Sequence, residues 1–317
     1  MPAQWRSRRG ATGLPTSGNA VELHLIDRYR ADIHIDIACD ESGAEGEKLA
    51  NGQTRLFTHA AVAVSTADAL ECVAELRARI GSPAQEYKAN HLLRPKHRRA
   101  LEWFLGPDGP IIGRARVVLV DKERFLLRTF LTVLSKPDSP GWLAVPDADA
   151  SELDDIRATC GDAEWHAFCD GVNDLLRGRR QPDELPPVGG WAGSRDSLRA
   201  VAARQARDNP DRVLVDPLFW AITRAVDVWG GPVAVVHDRH RSLTPLRIAA
   251  LVAACAPGGI VRFDLTAARA DARVQLSDFL AGIVRRAHTA ELAGTGDPVL
   301  LDLVQGYLAI APWTELV

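Results

Sequence analysis

Between residues 31 and 43 apolar and polar positions alternate: Ile33, Ile35, Ile37 and Cys39 are interleaved with His34, Asp36, Ala38 and Asp40. A period of two is that of a β-strand. The strand is expected to stop at Asp40-Glu41-Ser42-Gly43, a turn-forming cluster, which would leave carboxylates at the rim of a sheet. Residues 54–64 predict a second strand, joined to the first by an unusually long polar loop. The period then changes to that of a helix. Ala69, Leu70, Val73, Leu76 and Ile80 fall on one face, with Ser65 or Thr66 as N-cap and Gly81-Ser82-Pro83 as the stop.

Pro95 opens a further helix to about residue 105. Residues 111–120 read as a buried third strand and 123–134 as an amphipathic helix. Between residues 136 and 193 the periodicity weakens, and Pro, Gly and Asp accumulate around one helix at 162–176. This segment is expected to be an insertion or lid rather than a separate domain. Helix resumes at Arg195 and again over 213–229. Residues 232–236 form a nearly all-apolar run, suited to a central strand covered on both faces. A helix at 244–255, a fifth strand at 260–265 and helices at 274–288 and 299–308 complete the pattern, which is that of an α/β chain.

Composition narrows the classes. Of 317 residues, 46% are hydrophobic and 25% charged, ordinary values for a globular protein. Net charge is −3 and the isoelectric point about 6.3, so any nucleic-acid contact must use local basic patches. The cysteines (Cys39, Cys72, Cys160, Cys169, Cys255) are odd in number and lack a C-x-x-C pair. They fit a reducing, cytoplasmic setting rather than a disulfide framework. No apolar run of about 18 residues is present, so no membrane span is expected. Residues 1–22 read as a disordered tail, leaving 23–317 as a single domain.

Three aspartates stand out by position. Asp40 closes the first strand and Asp238 the fourth, while Asp278 lies on an otherwise apolar helix beside Leu276, Phe279 and Leu280. Each alone reads as structural, although a charge on an apolar helix is costly to bury without a cation or donor. Together, strand ends and an inward helix face supply what hard divalent cations need, which is several oxygen ligands converging from separate elements. Ala281 and Gly282 would let that helix approach the sheet closely. Glu86 and Lys88 sit in a short segment beside a run of basic residues (Arg94, Lys96, His97, Arg98 and Arg99).

The order of Asp40-Glu41-Ser42-Gly43, Glu86-Tyr87-Lys88, Val235-Val236-His237-Asp238 and Gln275-Leu276-Ser277-Asp278-Phe279-Leu280-Ala281-Gly282 resembles the domain-of-unknown-function family numbered 3800. The likeness spans roughly residues 33–290, apart from the weak middle. That family is similar to the ribonuclease-H-like superfamily, which implies a mixed five-stranded sheet flanked by helices. It also implies acids from strand one, strand four and a late helix holding Mg²⁺ or Mn²⁺. By matching position the implied metal ligands are Asp40, Asp238 and Asp278, with Glu86 as a further catalytic acid.

The expected function is therefore a metal-dependent nuclease acting on DNA or RNA, with Lys88, His91, Arg239, Arg241 and Ser42 on the substrate. Two other readings remain open: a catalytically inactive module that binds nucleic acid or protein, and a metal-dependent hydrolase of nucleotides. A zinc site from Cys39, His237 and His240 lacks regular ligand spacing. A nucleophilic Ser42 lacks the G-x-S-x-G elbow.

Overall fold

The alternating segment becomes the central strand of a five-stranded mixed sheet in a computed structural model that describes residues 34–44, 46–81, 88–135, 151–189, 195–208 and 215–309. The strands are β1 (Ile35–Ser42), β2 (Leu56–Val62), β3 (Ala115–Asp121), β4 (Val233–Asp238) and β5 (Ile260–Thr266), in spatial order β3-β2-β1-β4-β5. β2 is antiparallel to both β1 and β3, while β4 is parallel to both β1 and β5. The proposed tail at 1–22 and Glu86 lie outside the described residues.

Several strand boundaries differ from the sequence expectation, two of them by several residues. β1 does not stop at the acids: Asp40 pairs with Ala60, Glu41 with His59 and Ser42 with Thr58. A paired backbone outweighs the poor strand preference of Asp, Glu and Ser, so both acids ride on the strand itself. The turn starts at Gly43, whose φ of 94° only glycine adopts easily, and a Cβ there would stand 2.3 Å from the Leu56 carbonyl oxygen. The third strand starts at Ala115 rather than near 111, because Gly113, at φ 71°, turns the chain immediately before it.

The helices are α1 (Thr66–Ile80), α2 (Ala89–Leu92), α3 (Arg98–Leu105), α4 (Lys122–Ser135), α5 (Ser151–Thr159), α6 (Asp162–Leu176), α7 (Arg195–Asp208), α8 (Pro217–Trp229), α9 (Pro245–Ala254), α10 (Ala272–Leu292) and α11 (Pro298–Gln305). Ser65 caps α1, its Oγ accepting from the Asp68 amide at 3.0 Å, and Thr244 caps α9 in the same way. Apolar residues of α1, α3, α10 and α11 pack with Ala60, Val62, Ala115 and Val117 on one face of the sheet. Those of α4, α6, α8 and α9 pack with Ile37, Cys39, Phe57, Ala61, Val118 and Val120 on the other.

The sheet is thus covered on both sides, and β1 is buried from Ile37 to Asp40. The helix expected at 162–176 forms with those bounds and contributes Trp165, Phe168, Val172 and Leu176 to the second core, with Phe168 edge-on to Phe130. Among the described residues no helix is long and apolar enough to cross a membrane.

Candidate active site

Strand alternation sorts the residues at the C-terminal ends of β1 and β4 onto two faces. Ala38 and Asp40 point toward α10, whereas Ile37, Cys39 and Glu41 point toward α8. On β4, Val236 and Asp238 share the α10 face and His237 the other. Since Cys39 is opposite His237 in the parallel register, Asp40 and Asp238 leave adjacent strands one residue later. Neighbouring strands run about 4.8 Å apart, so the two carboxyls are unavoidable neighbours.

α10 brings the third aspartate. Ser277 Oγ donates to the Ala38 carbonyl at 2.7 Å, and Thr58 Oγ1 donates to the Ala281 carbonyl at 2.9 Å, so α10 is fastened across β1 and β2. Asp278 follows Ser277 and meets the end of β1. Its Oδ2 accepts from Lys88 Nζ at 2.9 Å. Asp238 Oδ1 accepts from the Ala268 amide at 2.8 Å, and Asp40 Oδ1 from the Glu41 amide at 2.7 Å.

The charges act on one another strongly. Burial, then the negative charges of Glu41, Asp278 and Asp238, push the Asp40 carboxyl up to about 9, against a single favourable contact from the Glu41 amide. Glu41 is raised for the same reasons, first burial and then Asp238, with Asp216 and Asp278 adding to it. Asp216 stands at the start of α8, where its Oδ1 caps the helix through the Leu218 amide at 3.1 Å.

The opposite face holds a histidine cluster that the sequence reading left almost unused. His237 stacks between His59 and Phe263, with ring centroids 5.3 and 6.3 Å away. Its Nδ1 meets the Asp238 carbonyl at 2.8 Å, while its Nε2 lies 3.9 Å from Glu41 Oε2, beyond hydrogen-bond reach. Both of those atoms are buried without a hydrogen-bond partner. His240 Nε2 is also 3.9 Å from Glu41, at its Oε1. Burial holds all three imidazoles below the ordinary histidine value, His237 at about 4, so they are neutral near pH 7.

Of the residues named from sequence, Asp40, Asp238, Asp278 and Lys88 come together, and Glu86 lies outside the described residues. Ser42 is held by Arg285, whose Nε donates to its Oγ at 2.9 Å. His91 Nδ1 accepts from the Lys88 amide at 3.4 Å and so caps the short helix α2. Arg239 and Arg241 are exposed on the loop after β4. Cys39 faces the core, where burial raises its thiol far above the usual range, away from the thiolate a metal needs.

Sequence reasoning missed Glu41, Asp216 and Arg285. Arg285 was findable, since it follows Asp278 by seven residues and therefore shares its helix face. Among the described residues no three His, Cys, Asp or Glu side chains already stand as a ligand set for a metal ion. The donors are nevertheless of the right chemistry, as hard oxygens crowd one rim and Glu41 Oε2 lacks a donor. No family model, curated protein or solved structure matches the chain.

Proposed function

We propose that the protein is a metal-dependent phosphodiesterase of nucleic acid with a ribonuclease-H-like fold. One observation carries the reading: Asp40, Asp238 and Asp278 arrive from β1, β4 and α10 at one rim, where the charges of Asp278 and Asp238 add to the cost of ionising Asp40. Four buried or half-buried acids, Glu41 among them, are an expensive arrangement for stability alone. Mutual repulsion of this kind is relieved by divalent cations. The fold agrees with the resemblance in being a mixed five-stranded sheet with its acids on the first strand, the fourth and a late helix.

In this account Asp40, Asp238 and Asp278 hold Mg²⁺ or Mn²⁺. When bound, such ions polarise the phosphoryl oxygens and lower the pKa of a coordinated water. The chain's own groups do the rest. The Ala268 and Glu41 amides fix the Asp238 and Asp40 carboxyls, so little reorganisation is left for the reaction. Lys88 sits on Asp278 and presents a cation beside the acids, suited to an incoming phosphate oxygen. Arg285 orients Ser42 at the end of β1. Arg239 and Arg241 extend the positive surface along the strand path, and Glu86 is assigned to complete the site.

A substrate panel tests the reading: single- and double-stranded DNA, RNA, hybrid duplexes and nucleotides, each with Mg²⁺, Mn²⁺ or EDTA. Hydrolysis with either metal and none in EDTA is expected. Tight binding of a nucleic acid in EDTA, with no turnover under any condition, would instead identify a binding module.

A further inference from the structure

Beside the acid rim, on the α8 face, the chain encloses a cleft of about 370 Å³. That is within the size range of small-ligand sites and too small for a duplex. Its wall runs from Gly43, at the end of β1, to Asp216 and His240, both near Glu41. Four cations line it: Lys122, Arg177, Arg241 and Arg247.

Two of these cations are deeply placed, with Lys122 2% exposed and Arg177 6%. Lys122 Nζ donates to Thr54 Oγ1 at 3.1 Å and to the Gly43 carbonyl at 3.3 Å, so it is fixed at the turn that follows the acids. Arg177 closes α6 and donates to the Val215 carbonyl at 3.1 Å. Arg241 is exposed, and Arg247 is half-buried, donating to the Ser242 carbonyl at 3.4 Å. Of the acids on the wall, Glu47 meets Arg179 and Asp216 caps α8. Phe57, Leu49 and Pro217 give the remaining wall an apolar surface.

Cations around the cleft, with an apolar flank and carboxylates nearby, match a nucleotide: phosphate among the cations and sugar and base along the apolar side. We propose that this cleft binds the phosphate-bearing terminal nucleotide of the substrate and so sets the cut a fixed distance from a phosphorylated end. The inference rests on the phosphodiesterase reading above, since the cleft adjoins Gly43 at the end of the strand that carries Asp40. It adds a substrate class, strands measured from a phosphorylated terminus, and three residues outside the acid rim: Lys122, Arg177 and Arg247.

Binding in EDTA tests the cleft independently of catalysis. Short oligonucleotides of one sequence would be compared with a 5′-phosphate, a 3′-phosphate or hydroxyls at both ends, alongside a nucleoside monophosphate. One phosphorylated end is expected to bind roughly ten-fold more tightly than the hydroxyl form, the scale of one charge-assisted contact. Arg241→Ala combined with Arg247→Gln should erase that difference while the protein stays folded at the binding temperature, checked by circular dichroism. These two are chosen over Lys122 and Arg177, whose burial puts folding at risk.

A further gain when the phosphate is attached to a strand assigns the cleft to strand ends, and no gain over the free nucleoside monophosphate overturns that assignment. Equal affinity for all ends, or a preference that survives the double variant, overturns the proposal. Cleavage by Mg²⁺ without any end preference would remove this inference alone. An end preference without cleavage would remove the hydrolytic reading and leave a nucleotide in the cleft.

Discussion

Gly282 of α10 lies directly against Ala89 of α2: a Cβ on the glycine would stand 2.5 Å from the Ala89 Cβ. Close contact here has a chemical consequence, because Ala89 is joined to Lys88 and Gly282 is one turn after Asp278. Two helices that could not meet this closely would not set the Lys88 ammonium 2.9 Å from the Asp278 carboxyl.

Gly282→Ala is therefore expected to push α2 away from α10. Helix propensity favours alanine by about 1 kcal/mol, but overpacking at 2.5 Å against a side chain fixed on a helix costs about 1–3 kcal/mol. The net expectation is lower stability, read by chemical denaturation, with weakened substrate binding because Lys88 moves. A stabilised variant with unchanged binding would show that α2 yields at no cost.

Much of this site could be read from the sequence and part could not. The period-two run at 31–43, the apolar run at 232–236 and the aspartate on an apolar helix identified Asp40, Asp238 and Asp278, because burial leaves a periodic trace along the chain. Glu41 was hidden by the expectation that the strand ends at Asp40. Only the pairing of Glu41 with His59 carries the strand past it. Lys122 and Arg177 were invisible for another reason. They reach one cleft from the starts and ends of distant helices, and no local pattern marks a cation that tertiary contacts bury.

Asp278→Asn should change metal-free stability by less than about 1 kcal/mol. The Lys88–Asp278 pair is half-exposed at the lysine, so its loss is small, and the variant also relieves repulsion on Asp40. Thermal melts with and without Mg²⁺ check this. A metal-induced rise in melting temperature is expected for the wild type and should shrink in the variant. A loss of several kcal/mol without metal would make Asp278 a structural partner of Lys88 instead.

The pH dependence of the metal-free protein follows from the shifts at the rim. Asp40 and Glu41 are raised, so above the ordinary carboxylate range the native state holds protons that the unfolded chain has lost. Stability therefore falls as pH rises, until about 8 for Glu41 and about 9 for Asp40. His59, His237 and His240 are lowered, so their contribution is lost as pH falls below about 6.5. The opposing slopes place maximal metal-free stability near about pH 6.5, with a decline toward about pH 9 that saturating Mg²⁺ should flatten. Melting temperatures across that range, with EDTA or Mg²⁺, give the answer. A metal-free protein that grows steadily more stable up to about pH 9 would mean the acids are not crowded.

The most direct measurement compares the wild type with Asp238→Asn on one nucleic-acid substrate in Mg²⁺, following cleavage rate and substrate affinity together. Asp238 is held by the Ala268 amide and sits beside Asp40, so asparagine keeps the shape while removing a charge from the acid rim. The account predicts a rate lower by roughly three orders of magnitude or more. Affinity should be nearly unchanged, because the proposed phosphate contacts come from Lys and Arg side chains. Equal cleavage by both proteins, or cleavage that persists in EDTA, would contradict it.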